Sequence, residues 1–173
     1  MKKSVHKEIG SKQKNVSISP AIRILRDSTT PSSSGKATLT YQIGCTTEGD
    51  IYVRVAANSG GGFWSAEWVS LQAVQSTLES IPKDTPITSY ALRGLFSGKS
   101  VNSRGFLMAV LKQLGMVKPL HEKQRCYESV DATPFLSEVK TLIDSDVTLQ
   151  AAEPSKHATE GKKSASKDTE KIA

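Results

Sequence analysis

An α+β fold, strands first and helices after, is what this sequence predicts, and three observations predict it. Apolar and polar residues alternate with period two across residues 38–43 and again across 51–55. Apolar residues then recur every three or four positions in three successive stretches between Ser65 and Gly115. Two short extended runs and one more helical pattern follow, before the composition turns to Lys, Ser, Ala and Glu beyond Asp146. A chain of 173 residues can hold one sizeable core, or a small domain with tails.

In chain order, residues 1–14 are Lys-rich and poor in apolar side chains, which reads as a disordered basic arm. Ser19-Pro20 opens the apolar stretch Ala21-Ile22-Arg23-Ile24-Leu25. Serine at an N-cap with proline behind it suits one or two helical turns, and an edge strand fits equally. Residues 27–35, DSTTPSSSG, have the composition of a flexible linker. Leu39, Tyr41 and Ile43 then alternate with Thr38, Thr40 and Gln42, as Ile51, Val53 and Val55 do with Tyr52 and Arg54. Thr46-Thr47-Glu48-Gly49-Asp50 between them supplies the turn of a hairpin. Gly60-Gly61-Gly62-Phe63-Trp64 reads as a strand-to-helix connection whose two aromatics anchor the hairpin, in preference to a cradle for a ligand.

Ser65 caps a first helix running to residue 81, with Trp68, Leu71, Val74 and Leu78 on one stripe. Pro82 and Pro86 bracket a linker. Thr88 caps a second helix that buries Ala91, Leu92, Leu95 and Phe96, and Ser97-Gly98 ends it. Asn102 or Ser103 caps a third, with Phe106, Leu107, Val110, Leu111 and Leu114 inward and Gly115 at its end. Residues 116–120 and 125–130 read as strands joined by His121-Glu122-Lys123-Gln124, and Pro134 opens a last helix over 135–143. The division that follows is a basic arm (1–14), an N-terminal segment with the hairpin (15–64), a helical unit with the C-terminal helix (65–146) and a disordered tail (147–173).

The net charge of +6 is unevenly placed. Residues 85–127 hold seven cations (Arg93, Lys99, Arg104, Lys112, Lys118, Lys123 and Arg125) against Glu122 alone. Residues 1–14 add five lysines against one glutamate, whereas 128–152 set five acids against Lys140. A cationic surplus this local points to a polyanion. No apolar run is long enough to cross a bilayer, so no membrane is expected, and the Lys-rich start lacks the apolar stretch of a secretory signal. Cys45 and Cys126 read as two free, buried thiols in a reducing compartment, hence a cytoplasmic protein.

Helix, helix, short turn, helix, hairpin is the order of a winged helix-turn-helix, and residues 65–131 resemble that fold at the level of architecture. The resemblance implies a third helix lying in the major groove of double-stranded DNA and a hairpin touching the flanking backbone, as in a transcriptional regulator. On a helical wheel the outward face of the third helix is Gly105, Met108, Ala109 and Lys112, with Arg104 on its flank. The small Gly105 and Ala109 allow close approach, and the planar fork of Arg104 matches the O6 and N7 edge of guanine. Lys99, Asn102 and Ser103 at the helix start are placed to donate to phosphates, as are Lys123 and Arg125 near the hairpin tip and Lys118 at its base. A homodimer on two half-sites is compatible, with the hairpin edge free for pairing. The rival reading is a small adaptor or inhibitor that turns the same basic face to an acidic protein partner, with Gly105 and Ala109 packing a partner helix.

Other motifs argue for little. Gly98-Lys99-Ser100 resembles the end of a phosphate-binding loop, but Arg93 stands where that motif needs glycine, and a helix precedes it where a strand should. His6, His121 and His157 make no metal-binding spacing with either cysteine, so neither zinc nor any other cofactor is expected. No arrangement of Ser, His and Asp suggests catalysis, and Glu48 with Asp50 reads as turn chemistry; no enzyme is expected.

Overall fold

The computed structural model describes residues 21–98, 100–121, 123–146 and 148–149; the expected basic arm, the tail beyond 149, Lys99, Glu122, His6 and His157 lie outside the described residues. Four strands, β1 (Arg23–Pro31), β2 (Thr38–Cys45), β3 (Ile51–Asn58) and β4 (Val69–Ser70), form an antiparallel sheet in sequence order. Helix α1 (Leu71–Glu79), a 3₁₀ helix (Ser89–Leu95) and helix α2 (Val101–Gln113) come next. A small hairpin of β5 (Val117–Pro119) and β6 (Tyr127–Ser129) then leads to α3 (Thr133–Asp144). The fold is α+β, with hairpin-like strands ahead of the helices.

The alternating residues of β2 and β3 act as their pattern demands. Leu39, Tyr41, Ile43 and Cys45 on β2 and Val53 and Val55 on β3 are buried on one face of the sheet. That face shares a core with Leu71, Val74 and Leu78 of α1, Leu92 of the 3₁₀ helix, and Leu107, Met108, Val110 and Leu111 of α2. Val117, Tyr127, Phe135 and Val139 bring the hairpin and α3 into the same cluster. Each such side chain contributes about 1.5–3 kcal/mol when fully removed from water. The hairpin is also tied to the segment ahead of the 3₁₀ helix, because Ile87 and Tyr127 exchange two backbone hydrogen bonds of 2.8 Å. Cys45 is buried and Cys126 half-buried, both as free thiols.

The opposite face of the sheet carries a polar ladder. Gln42 stands in register between Asp27 and Arg54, is 1% exposed, and donates to the Asp27 carboxylate at 2.6 Å. Its carbonyl oxygen accepts from Arg54 Nε at 2.8 Å, and the Arg54 guanidinium lies 4.5 Å from the centre of the Trp68 ring. Burial pushes Arg54 below its ordinary pKa, and the charge of Asp27 offsets part of that.

Four expectations need correction here. Residues 27–31 are not linker: they complete β1, paired with Thr38 to Gln42, and only Ser32-Ser33-Ser34-Gly35 turns. Their Thr-rich side chains tolerate a strand, and the buried Thr30 reaches Gln113 of α2 at 3.5 Å. The first helix begins later than Ser65, because Val69 and Ser70 pair with Val53 and Tyr52, and Ser70 then caps α1 by accepting from the Ala73 N–H. Trp68 is therefore not on the α1 stripe but on the far side of the sheet with Arg54. The second helix is a 3₁₀ helix with only Leu92 buried; Ala91, Leu95 and Phe96 are half-buried, Thr88 makes no side-chain cap, and Gly94 in so short a segment disfavours α geometry.

Of the two hairpin edges, that of β2 is occupied, since β1 pairs along it, whereas on that of β3 the strand β4 pairs only with Tyr52 and Val53. On the outer side of β1, Ile24 bridges to Leu149. The guanidinium of Arg23 donates to the Ile143 carbonyl at 3.1 Å, and Arg26 pairs with Glu138, so α3 packs against β1. Asp131 holds the start of α3 by accepting from the backbone N–H and hydroxyl of Thr133 at 2.9 and 2.6 Å. Those two bonds keep its carboxyl below the ordinary carboxylate range. Among the described residues no helix is long and apolar enough to cross a membrane.

Candidate functional site

Helix α2 is the element on which the cationic window turns, and its two halves differ. Every residue from Leu107 to Leu111 is buried, whereas in the first turn and a half only Ser103 is. The helix contacts β1 and β3 of the sheet, the 3₁₀ helix, and β5 of the hairpin. Met108, 1% exposed, and Ala109, 4% exposed, thus belong to the core and not to an outward face. A wheel with one buried stripe assumes packing from one side; here packing comes from several.

Ser100 is the N-cap of α2, in place of Asn102 or Ser103, but its hydroxyl makes no cap bond to the helix. It donates instead to the Phe63 carbonyl at 2.5 Å, as does the Asn102 side-chain amide at 3.0 Å. Two hydrogen bonds thereby fasten the Gly-rich loop to the helix start. Gly61 and Gly62 make the bend with φ of +70° and +87°, a region costly for other residues, and the Asn58 amide donates to the Gly61 carbonyl. Trp64 turns inward, its indole N–H donating to the Val55 carbonyl at 3.2 Å, and fulfils the expected anchoring role. Phe63 does not: it is 73% exposed.

Beside this loop the structure gathers arginines on an aromatic ring. Arg93 and Arg104 place their guanidinium carbons 4.9 and 5.1 Å from the centre of the Tyr90 ring, and Arg93 also donates to the Tyr90 hydroxyl. A cleft of about 310 Å³ is lined by Arg93, Gly94, Phe96, Gly98, Ser100, Val101 and Arg104. A second cleft, about 210 Å³, shares Val101 and brings Arg125 of the hairpin turn to Asn102 and Gly105, with Ser32, Ser33 and Ser34 on its far wall. Arg125 sits at φ +59°. The nearby Glu67 carboxylate is engaged by the Ser65 hydroxyl at 2.9 Å and the Ser97 N–H at 3.0 Å. Arg93, Arg104, Lys112, Lys123 and Arg125 have no carboxylate partner among the described residues.

The residues expected to form one surface are therefore divided. Asn102 and Arg125 line one cleft at the first half of α2, and Arg104 lines the neighbouring one. Lys112 is exposed in the last turn, roughly 12 Å further along the axis at 1.5 Å per residue, where a cation also favours the helix dipole. Lys118 pairs with Glu128 across the hairpin at 2.9 Å, and Lys123 is exposed in the hairpin turn. Ser103 is no phosphate donor: it is 2% exposed and accepts from the Ser65 N–H at 2.8 Å. Tyr90, Arg93 and Phe63 were not assigned to the site by their sequence context. The first two carried a signal, an aromatic and an arginine three residues apart. No group of three His, Cys, Asp or Glu that could hold a metal occurs among the described residues. Comparison of the chain with protein-family models, with curated proteins and with solved structures finds no match.

Proposed function

We propose that this protein binds DNA through the surface around the first half of α2, with the β5–β6 turn adding backbone contacts as the wing of a winged helix does. The observation that carries the reading is that Arg93 and Arg104 line one cleft and Arg125 a second that shares Val101 with it, none of the three with a carboxylate partner among the described residues. Three guanidiniums at adjoining clefts with no carboxylate partner among the described residues attract a polyanion, and Tyr90 holds two of them in place at little entropic cost. The helical order supports the same comparison, but the contact it suggests is short. Only the residues before Leu107 are open, so base contacts fall to Arg104 and Asn102, and Met108 takes no part. A role in transcriptional control rests on the architectural resemblance alone. The adaptor alternative loses its helix-packing pair, because Ala109 is buried.

Fluorescence anisotropy with a mixed-sequence DNA, titrated at low and near-physiological salt, tests the reading. Affinity should fall steeply with salt. Arg93→Ala/Arg104→Ala should weaken it and lower the slope of log K against log salt by about one, for the phosphate contact of Arg93, while the loss of Arg104 relaxes base preference. Lys112→Ala, at the far end of the helix, should change it less. No binding at low salt would end the proposal and favour an acidic protein partner.

A further inference from the structure

Three of the five large apolar side chains that stand exposed among the described residues belong to this same surface: Phe63 at 73%, Val101 at 64% and Tyr90 at 57%. Their exposure is built in. Phe63 is held out by a loop whose carbonyl groups are bonded to Asn58, Ser100 and Asn102 and whose bend is made by two glycines at positive φ. The next residue, Trp64, is fixed inward, so the pair cannot exchange places without breaking the indole bond. Val101 follows Ser100 directly, and Tyr90 lies under Arg104 of the same helix.

The exposed Phe63 ring, beside three arginines that have no carboxylate partner among the described residues, has the composition of a stacking platform with a phosphate track beside it. A base inside a duplex has both faces covered by its neighbours, so such a ring gains nothing from an intact double helix. An unpaired nucleotide offers a bare face. The accessible part of α2 points the same way: a turn and a half is short for reading a major groove, and Leu107 to Leu111 are closed off by the sheet and hairpin. Resting on the DNA reading above, we infer that this surface takes unpaired nucleotides of a DNA strand, with Phe63 stacking on a base while Arg93 and Arg104, held over the Tyr90 ring, and Arg125 contact the phosphates. Charge decides between this occupant and a purely apolar partner, because the rings cannot be covered without bringing the arginines to the partner as well.

Anisotropy on the full chain tests this with three labelled probes of equal length: a mixed-sequence single strand, its blunt duplex, and a strand of the same backbone with abasic positions. The variant is Phe63→Ala, whose exposed side chain leaves the core untouched, with circular dichroism as the folding check. The expected result is tightest binding to the single strand, about tenfold weaker binding to the abasic strand, and a Phe63→Ala loss of fivefold to a hundredfold seen only when bases are present. Phe63→Tyr should restore the affinity. Equal binding to the strand and its abasic form, with Phe63→Ala silent, would overturn the stacking inference while leaving DNA binding intact. Absence of binding to all three probes at low salt would overturn both.

Discussion

The two halves of α2 follow one another in a single helix and serve opposite ends. From Leu107 to Leu111 no residue reaches water, so any change there is felt by the core that joins sheet, helices and hairpin. From Val101 to Phe106 the side chains are open or half-open, except Ser103, and carry the arginine and amide that meet Tyr90 and Phe63. On the proposed reading, stability and recognition are separable along this helix by position, not by face. Substitutions in the second half should act on folding and those in the first on binding.

Met108→Lys attacks the contrast most directly. A lysine at a site 1% exposed would carry a charge into the core, at a cost of at least about 3 kcal/mol, against a total stability of roughly 5–15 kcal/mol for a domain of this kind. Denaturant titration should show the midpoint collapse. If the lysine variant does not fold, Met108→Ala should still lose about 2–5 kcal/mol, which an exposed methionine would not. A folded Met108→Lys protein with normal stability, stronger DNA affinity and a steeper salt dependence would put Met108 on the surface and erase the distinction between the halves.

Ser103 marks the boundary, and its variant sharpens the comparison. Truncation to alanine removes the acceptor for the Ser65 N–H while leaving that donor partly buried. Ser103→Ala should therefore cost about 1–2 kcal/mol by thermal or denaturant unfolding. DNA affinity of the folded fraction should not change, because the hydroxyl faces the loop. A loss of affinity without a loss of stability would return Ser103 to the recognition surface.

What was legible in the chain follows the number of elements that pack on each residue. The β2–β3 hairpin has one core face, so period two placed Leu39, Tyr41, Ile43, Val53 and Val55 inward. The Thr- and Ser-rich end of β1 hid its strand, because pairing with β2 supplies an order that its composition does not advertise. Trp68 fits a helical stripe by spacing, yet Val69 and Ser70 find a better partner in β3. On α2 a signal was present: Phe106-Leu107-Met108-Ala109-Val110-Leu111 is an unbroken apolar run, the mark of a helix buried on all sides. The charge surplus that drew notice to Arg104 and Arg125 was local and readable. The approach of Phe63 to the start of α2 depends on a loop docking across almost forty residues of sequence, and no local pattern encodes it.

Gly105→Ala gives the smallest effect and the one in which the two readouts part. Gly105 lies inside α2, and a Cβ added there meets nothing within 4 Å. Glycine in a helix interior is destabilising by about 1 kcal/mol relative to alanine, so the variant should gain roughly 0.5–1 kcal/mol and melt roughly 2–4 °C higher. A site chosen for stability alone would already hold alanine. Gly105 also lines the cleft with Arg125 and Asn102, where a bare backbone lets a ligand come close. Affinity for DNA should therefore fall as the melting temperature rises, and fall further in Gly105→Leu. Two readouts moving in opposite directions on one methyl group would mark the first half of α2 as shaped for contact at the expense of folding. A lower melting temperature would mean that the space beside Gly105 is filled, and the first half of α2 would then differ from the second only in degree.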